Sequence, residues 1–426
     1  MIINFPYKNV EKLAIAEDFD AQLFDLPKTT APLNPSEVVF NALKQPIGSG
    51  RLSELAKKRE KVLIVSDDIH RPTPVCDFVG AVLDELYKAG LKNHNIEFMM
   101  ALGTHRAMTK DEMAQKLGAD IVERFKVHNH NWDDPEAMEF IGETKQAVPV
   151  WINKKVSEAD IVIGLGAIMP IEVCGFTGGG KILVPGVCGE ETNSQMHWTR
   201  VDVSHNEILG MADNPIRASI DSLARKAGLD FIVNVIMNAE QEIVAAVAGD
   251  MTEAHMAGCK MAKDVHGVEF EKEYDIVIAD GYPFDIEFWQ VNKALDTAGI
   301  VVKKGGVVII VSPCYEGFSQ THGEILEFGY TSIENIKNLV NCGKISHKVV
   351  GVHMIQVSTV AVEKAKVILV STGISKEDAE KARLMWAQTP QLAFEKALKI
   401  VAQNPSVAIL KNAARMLPIM KTRKDN

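Results

Sequence analysis

The chain has 426 residues, of which 46% are hydrophobic and 24% charged, with a formal net charge of −10. That is ordinary globular composition, long enough for two domains because one core rarely grows past about 250–300 residues, and its acidity argues against a nucleic-acid binder or a polybasic membrane surface. No apolar run approaches the ~18 residues of a membrane span, and six scattered cysteines without a C-x-x-C pair argue against a zinc site or a disulfide framework.

The first residues lack the basic-then-apolar pattern of a secretory signal, so a cytoplasmic protein is expected. Asn34-Pro35-Ser36-Glu37 reads as a helix start, with proline at the first helical position. The apolar run Lys61 to Val65 predicts a buried parallel strand that exits into the polar loop Ser66 to Pro74. A helix over about 75–88 then stops at Ala89-Gly90. The unit repeats: Ile96 to Met100 is a strand, Ala101-Leu102-Gly103-Thr104-His105-Arg106 its exit loop, and Thr109 with Glu112 a capping box opening the next helix. A strand near Val127 exits into His128-Asn129-His130. The strand Ile161 to Gly166 runs into a stretch with glycines at 164, 166, 175, 178, 179 and 180, then Lys181, then His197 sixteen residues later.

Strand, polar loop and helix in alternation predict an α/β fold of two domains with mainly parallel sheets. In such sheets ligands bind beyond the carboxyl ends of the strands, so Asp68, Arg71, His105 and the glycine-rich loop are expected to face one crevice. Asp213-Asn214-Pro215 starts a further helix, Phe231 to Met237 is a strand, and Glu240 to Asp250 hairpins back onto it. A second α/β run begins at Tyr274, with strands at 276–278, 307–311 and 367–370. The charged stretch Glu269 to Glu273 sets the boundary within 265–275. The expected division is residues 1–270, carrying the glycine-rich loop, Lys181 and His197, and residues 271–404, carrying Gln290 and Lys293. The tail 405–426 is expected to fray or to pack back on the first domain. The active site is expected in the crevice between the two domains.

Gly175-x-x-x-x-Gly180-Lys181 satisfies most of a phosphate-loop pattern, but the next residue is Ile182, which has no hydroxyl for Mg²⁺. An α/β ATP-binding enzyme using residues 175–181 and a plain structural turn are both compatible with the loop alone. His105 stands at a strand's carboxyl end, where a general base would sit; lone histidines are also often structural. His128 and His130 could bind metal, but a solvated polar loop explains them as well. Asp68 and Arg71 are three apart and could form a simple loop ion pair. Gln290 and Lys293 would share one helix face, and a lysine emerging beside Tyr282, Phe284, Phe288 and Trp289 is placed to hold a carboxylate.

Four blocks together resemble the lactate racemase family, whose members carry a nickel-pincer nucleotide. They are Ser66 to Pro74, Gly103 to Arg106, Gly175 to Gly186 with His197 beyond it, and Gln290-x-x-Lys293. The resemblance implies a Ni(II) complex of pyridinium-3-thioamide-5-thiocarboxylic acid mononucleotide tethered covalently to Lys181, with His197 as the protein ligand to nickel; an imidazole suits that ion. It implies His105 as a general base for the 2-hydroxyl. Arg71, Gln290 and Lys293 would hold the substrate carboxylate, with Asp68 supporting the loop at the cofactor, and Thr177, Gly178 and Gly179 would receive the nucleotide phosphate. The implied reaction passes the substrate's carbon-bound hydrogen to the cofactor as hydride while a histidine takes the hydroxyl proton. Implied partners are a small 2-hydroxy acid and, transiently, the cofactor-synthesis enzymes; protein made without those enzymes is expected to be apo. Nothing in the sequence decides the oligomeric state.

Two positions depart from the family's pattern. The second catalytic histidine is expected ten residues before the lysine, where this chain has Ile171, and the arginine expected before the lysine is replaced by Gly180. The reading is therefore a racemase or epimerase of a 2-hydroxy acid other than lactate, with Glu172, another histidine or water as second base. The alternatives are a different redox-type reaction needing only His105, or cofactor binding without racemisation.

Overall fold

The computed structural model describes residues 1–144, 147–201 and 208–421. The chain divides into two compact units, one formed by Lys28–Val265 and the other by Met1–Pro27 together with His266–Asn426.

The continuous unit is built on a six-stranded sheet. In spatial order its strands are Ile243–Gly249, Leu229–Met237, Ile161–Ala167, Val62–Asp67, Ile96–Ala101 and Lys126–Asn129. Ile243–Gly249 pairs antiparallel, as the hairpin at 240–250 predicts, and the other pairings are parallel. Val62–Asp67 and Ile161–Ala167 are almost wholly buried, which is why they read as continuous apolar runs rather than alternating ones. Local signals place the helices. Thr109 accepts from the Glu112 N–H at 3.2 Å while Glu112 accepts from the Thr109 N–H at 2.8 Å, opening Lys110–Leu117. Asn214 caps Pro215–Ala227 through the N–H groups of Ile216 and Arg217.

The order of strands identifies where a ligand should sit. From Val62–Asp67 the chain moves outward to Ile96–Ala101 and Lys126–Asn129. It then returns to the opposite side of Val62–Asp67 with Ile161–Ala167. That reversal is a topological switch point, and the loops leaving the two central strands flank the crevice that open α/β sheets use for ligands. Those loops are the Asp68 loop and the glycine-rich stretch.

The other unit holds a six-stranded, all-parallel sheet ordered Met385–Trp386, Lys366–Val370, Val302–Val311, Tyr274–Asp280, Ser406–Leu410 and Asp20–Phe24. Its core joins Ile276, Ile278, Val307, Ile309, Ile368, Val407 and Ile409 to residues from the first turns of the chain, such as Leu13 and Ile15. The chain is therefore divided differently from the expected 1–270 and 271–404. Residues 1–27 leave the first unit because Asp20–Phe24 pairs along its whole length with Ser406–Leu410. The tail is not frayed up to residue 421: Ser406–Leu410 is a fully buried interior strand, and Leu417–Met420 pairs with Gly267–Phe270. The tail thus packs in the second unit, not on the first. Residues 422–426 of the expected frayed end lie outside the described residues.

Candidate active site

The loop after Val62–Asp67 is fixed from below. Lys116, on the capped helix, lies 2.7 Å from Asp67 Oδ1 and donates to the Arg71 carbonyl at 2.9 Å. The Thr73 hydroxyl donates to Asp67 Oδ2 at 2.5 Å. Asp68, 1% exposed, is thereby held pointing into the fold. Its Oδ2 accepts from two imidazoles at once: His105 Nδ1 at 2.6 Å and His70 Nδ1 at 2.8 Å, the rings lying 4.4 Å apart.

This arrangement has consequences for charge. Burial alone would push the Asp68 carboxyl up, but the His105 and His70 imidazoles hold it well below the usual carboxylate range. His105 is depressed to about 3 by burial, against the favourable pull of Asp68. It is therefore neutral near pH 7, its Nδ1–H is committed to Asp68, and Nε2 carries the basic lone pair. The Asp68 carboxylate thus orients the His105 and His70 rings. The donor atoms of Asp68, His70 and His105 lie within 4.8 Å of one another, a spacing a metal could use. The hydrogen bonds already account for that spacing without an ion. Arg71 faces the same region, since its charge bears on both His105 and Lys181.

The glycine-rich stretch leaves the neighbouring strand. Pro170–Ile171 folds back on Gly175–Phe176 as a two-residue ladder, and Ile171, 4% exposed, packs into the hydrophobic core. The loop's glycines are explained by the fold around them. Gly178 and Gly179 have φ of +77° and +58°, and a Cβ at Gly179 would lie 2.9 Å from the His255 ring. At Gly180 a Cβ would lie 2.9 Å from Ala224 Cβ and Asp221 Oδ1, so the arginine expected there has no room. The turn's hydrogen-bonding groups also face inward. The Thr177 N–H donates to the Met169 carbonyl and its hydroxyl to the Ala167 carbonyl. The Gly179 N–H donates to Asn234 Oδ1 at 2.8 Å. From beneath, His255 Nε2 donates to the Thr177 carbonyl, and Arg217 donates to the carbonyls of Gly178 and Phe176. Of the three residues expected to receive a phosphate, Thr177 and Gly179 have their donors engaged inside the fold. The same geometry weighs against an ATP phosphate loop.

Lys181 emerges from this rigid turn partly exposed, and its ammonium makes no hydrogen bond or ion pair among the described residues. Desolvation lowers its pKa, and the Arg71 and Arg217 charges act in the same direction. His197 lies on Glu190–Trp198 and is depressed to about 4 by burial and by the Lys181 charge. Its Nδ1–H donates to the Asn193 carbonyl one turn earlier at 2.8 Å, so the lone pair of the neutral ring is on Nε2. A partner on one ring nitrogen that frees the other as a donor is the usual support of a metal-ligating histidine. Glu172 and Arg200, both buried, are 3.9 Å apart and bear electrostatically on His197, as Glu172 does on Lys181.

The other unit carries Gln290 and Lys293 on Phe288–Val301. Lys293 Nζ donates to Gln290 Oε1 at 2.6 Å and lies 4.9 Å from the Phe284 ring centroid, so the two residues share one face as expected. Among the described residues His128 and His130 belong to no cluster of metal-ligating groups. His128 lies 2.9 Å from Glu97 beside Lys155, and His130 is buried, with Nε2–H donating to the Cys188 carbonyl.

Several residues at the site escape a linear reading. His70 stands only two positions from Asp68, and Asn193 one helical turn before His197; both spacings are visible once the partner is known. Arg200, Arg217, Asn234 and His255 come from remote segments, and nothing local marks them.

Residues 7–210 match the family described as lactate racemase N-terminal domain, and residues 269–417 the one described as lactate racemase C-terminal domain. The lactate racemase of Thermoanaerobacterium thermosaccharolyticum is 34% identical over 288 residues, 67% of each chain. The lactate racemase of Lactiplantibacillus plantarum is 32% identical over 288 residues, 67% of this chain and 68% of that one. The structure of the lactate racemase apoprotein from T. thermosaccharolyticum superposes with a TM-score of 0.86 at 26% identity, covering 98% of this chain and all of that one. A Thermotoga maritima protein shares the fold at a TM-score of 0.75 and 23% identity, covering 91% of this chain and 99% of that one.

Proposed function

Because this chain belongs to the lactate racemase family, we propose that it is a racemase or epimerase of a 2-hydroxy acid other than lactate, with His105 as a general base. The observation that carries the reading is the neutral His105 whose Nδ1–H is fixed on Asp68 at 2.6 Å. A general base needs this fixed tautomer and a partner for the charge it acquires.

The donor set fits the family's nickel-pincer nucleotide. Lys181 offers a desolvated amine, unpaired among the described residues, for covalent attachment, and His197 offers a neutral imidazole whose Nδ1–H is already held. When bound, that group supplies an acceptor for the hydrogen leaving the substrate's carbon. The chain's own residues do the rest. For one enantiomer, His105 Nε2 takes the hydroxyl proton and Asp68 stabilises the imidazolium through Nδ1–H; the group facing the other enantiomer handles the proton there. Arg71 provides a guanidinium for the substrate carboxylate. Within the other unit, the Gln290–Lys293 pair offers the same chemistry.

Isoleucine at 171 cannot transfer a proton, and racemisation needs an acid–base group for each enantiomer. Glu172, the next residue, is the ionisable group that stands nearest in the chain, buried beside Arg200. The burial of Ile171 in the core also favours a second reading, a one-base redox reaction on the same cofactor. A panel of 2-hydroxy acids, given to protein produced with the cofactor-synthesis enzymes and loaded with nickel, separates them. Interconversion of enantiomers or epimers of at least one acid is expected. No interconversion for any acid, with the cofactor confirmed by mass, would remove the racemase reading.

A further inference from the structure

Arg200 follows the helix that carries His197 and is 2% exposed. Its Nε and Nη1 are buried atoms with no hydrogen-bond partner among the described residues. Among the described residues its one ion-pair contact is long, 3.9 Å from Nη1 to Glu172 Oε1. A guanidinium has five N–H donors and cannot shed its charge, and leaving such a group buried and unsatisfied is costly.

The surroundings make the imbalance larger. Lys181 has no partner for its ammonium among the described residues, and Arg71 and Arg217 act on it as further positive charges. Against these stand Glu172 and Asp221, the latter 3.7 Å from Arg217. Thr177 and Gly179, by contrast, hold their donors inside the fold.

We propose that Arg200 is an anion-binding residue that takes the phosphomonoester of the tethered nucleotide, in place of the glycine-rich turn. The guanidinium's planar fork matches two phosphate oxygens, and Glu172 keeps it oriented. This rests on the cofactor reading above, since it assigns one of that ligand's groups to a residue.

The test is a cycle on purified, cofactor-free full-length protein, with nicotinic acid mononucleotide and its phosphate-free riboside as probes. Wild type is expected to bind the mononucleotide at least tenfold more tightly than the riboside by calorimetry. Arg200→Gln should bring the two affinities together, and Arg200→Lys should retain part of the difference. Thermal melts of the unliganded variants check the fold. Equal mononucleotide affinity in wild type and Arg200→Gln, or no preference for the phosphate in wild type, overturns the proposal. A loss in Arg200→Gln confined to glycolate or lactate assigns the residue to a carboxylate and equally overturns it. The cofactor reading stands or falls separately, on the intact-mass adduct at Lys181 in protein made with the synthesis enzymes.

Discussion

The two loops at the switch point of the first sheet are opposites in how they treat polar groups. In the loop of Asp68, charge is matched: one carboxylate oxygen holds two imidazoles at 2.6 and 2.8 Å, and Lys116 neutralises Asp67 behind it. Around Lys181, His197 and Arg200 it is not: among the described residues an ammonium has no hydrogen bond or ion pair, and two guanidinium nitrogens are buried without acceptors. The first has its carboxylates paired within the fold; under the proposed function it is an acid–base device. The second holds donors without acceptors among the described residues; under that reading they are for the cofactor. The comparison separates what the chain does alone from what it does by holding a ligand.

Breaking the second loop should have the largest effect. Lys181→Ala is expected to abolish the covalent adduct and all turnover, read by intact mass on protein made with the synthesis enzymes. An adduct of unchanged mass would remove Lys181 from its role. His105→Ala should leave adduct and nickel in place and lower turnover by about 10²–10⁴-fold, the range for losing a general base. If both variants lost the adduct, the division between the loops would fail.

The alternation of strands, loops and helices was legible because central parallel strands are buried on both faces and read as unbroken apolar runs. Thr109 and Asn214 announced their helices because a cap is a local hydrogen bond. Asp20–Phe24 was not legible: its sequence, Asp-Ala-Gln-Leu-Phe, has no clear pattern, and its partner lies some 386 positions away at Ser406. Lys181, His105 and His197 were singled out by motif, and the structure places His105 on Asp68 and His197 on the Asn193 carbonyl. The lack of partners at Arg200 was invisible, because an unsatisfied donor is a property of what surrounds it in space. The glycine run was misread in part. It suggests a phosphate cradle, yet φ and the close approach of His255, Asp221 and Ala224 explain Gly179 and Gly180 as packing requirements.

Smaller perturbations sharpen the comparison. His105 and His197 have folded pKa values of about 3 and about 4, below the ordinary value of about 6.5. Groups so depressed contribute full stability above pH 6.5 and lose it as the pH falls toward 4, because the unfolded chain takes up protons first. His130 and His255 act in the same direction, at about 4 and about 3. The denaturation midpoint should therefore fall between pH 7 and pH 5, and His197→Gln should flatten that slope; an unchanged slope would mean that His197 is not buried as described. The smallest effect is expected from Thr109→Ala, which removes one half of the capping box beside the His105 loop. It should cost about 1 kcal/mol in stability, measured by urea denaturation, with the Lys181 adduct unchanged.

One topological feature bears on how the molecule is made. The unit formed by Lys28–Val265 is continuous in the chain, whereas the other needs Asp20–Phe24 beside Ser406–Leu410. Domains fold as units during synthesis, so the sheet that bears Lys181 and His105 can close while the rest of the chain is still being translated. The opening residues must meanwhile wait, with an unpaired strand, for a partner synthesised nearly four hundred residues later. Such late closure is slow for the same reason that any pairing of distant segments is slow. The unit that carries Lys181 and His105 is therefore in place before the remainder is assembled.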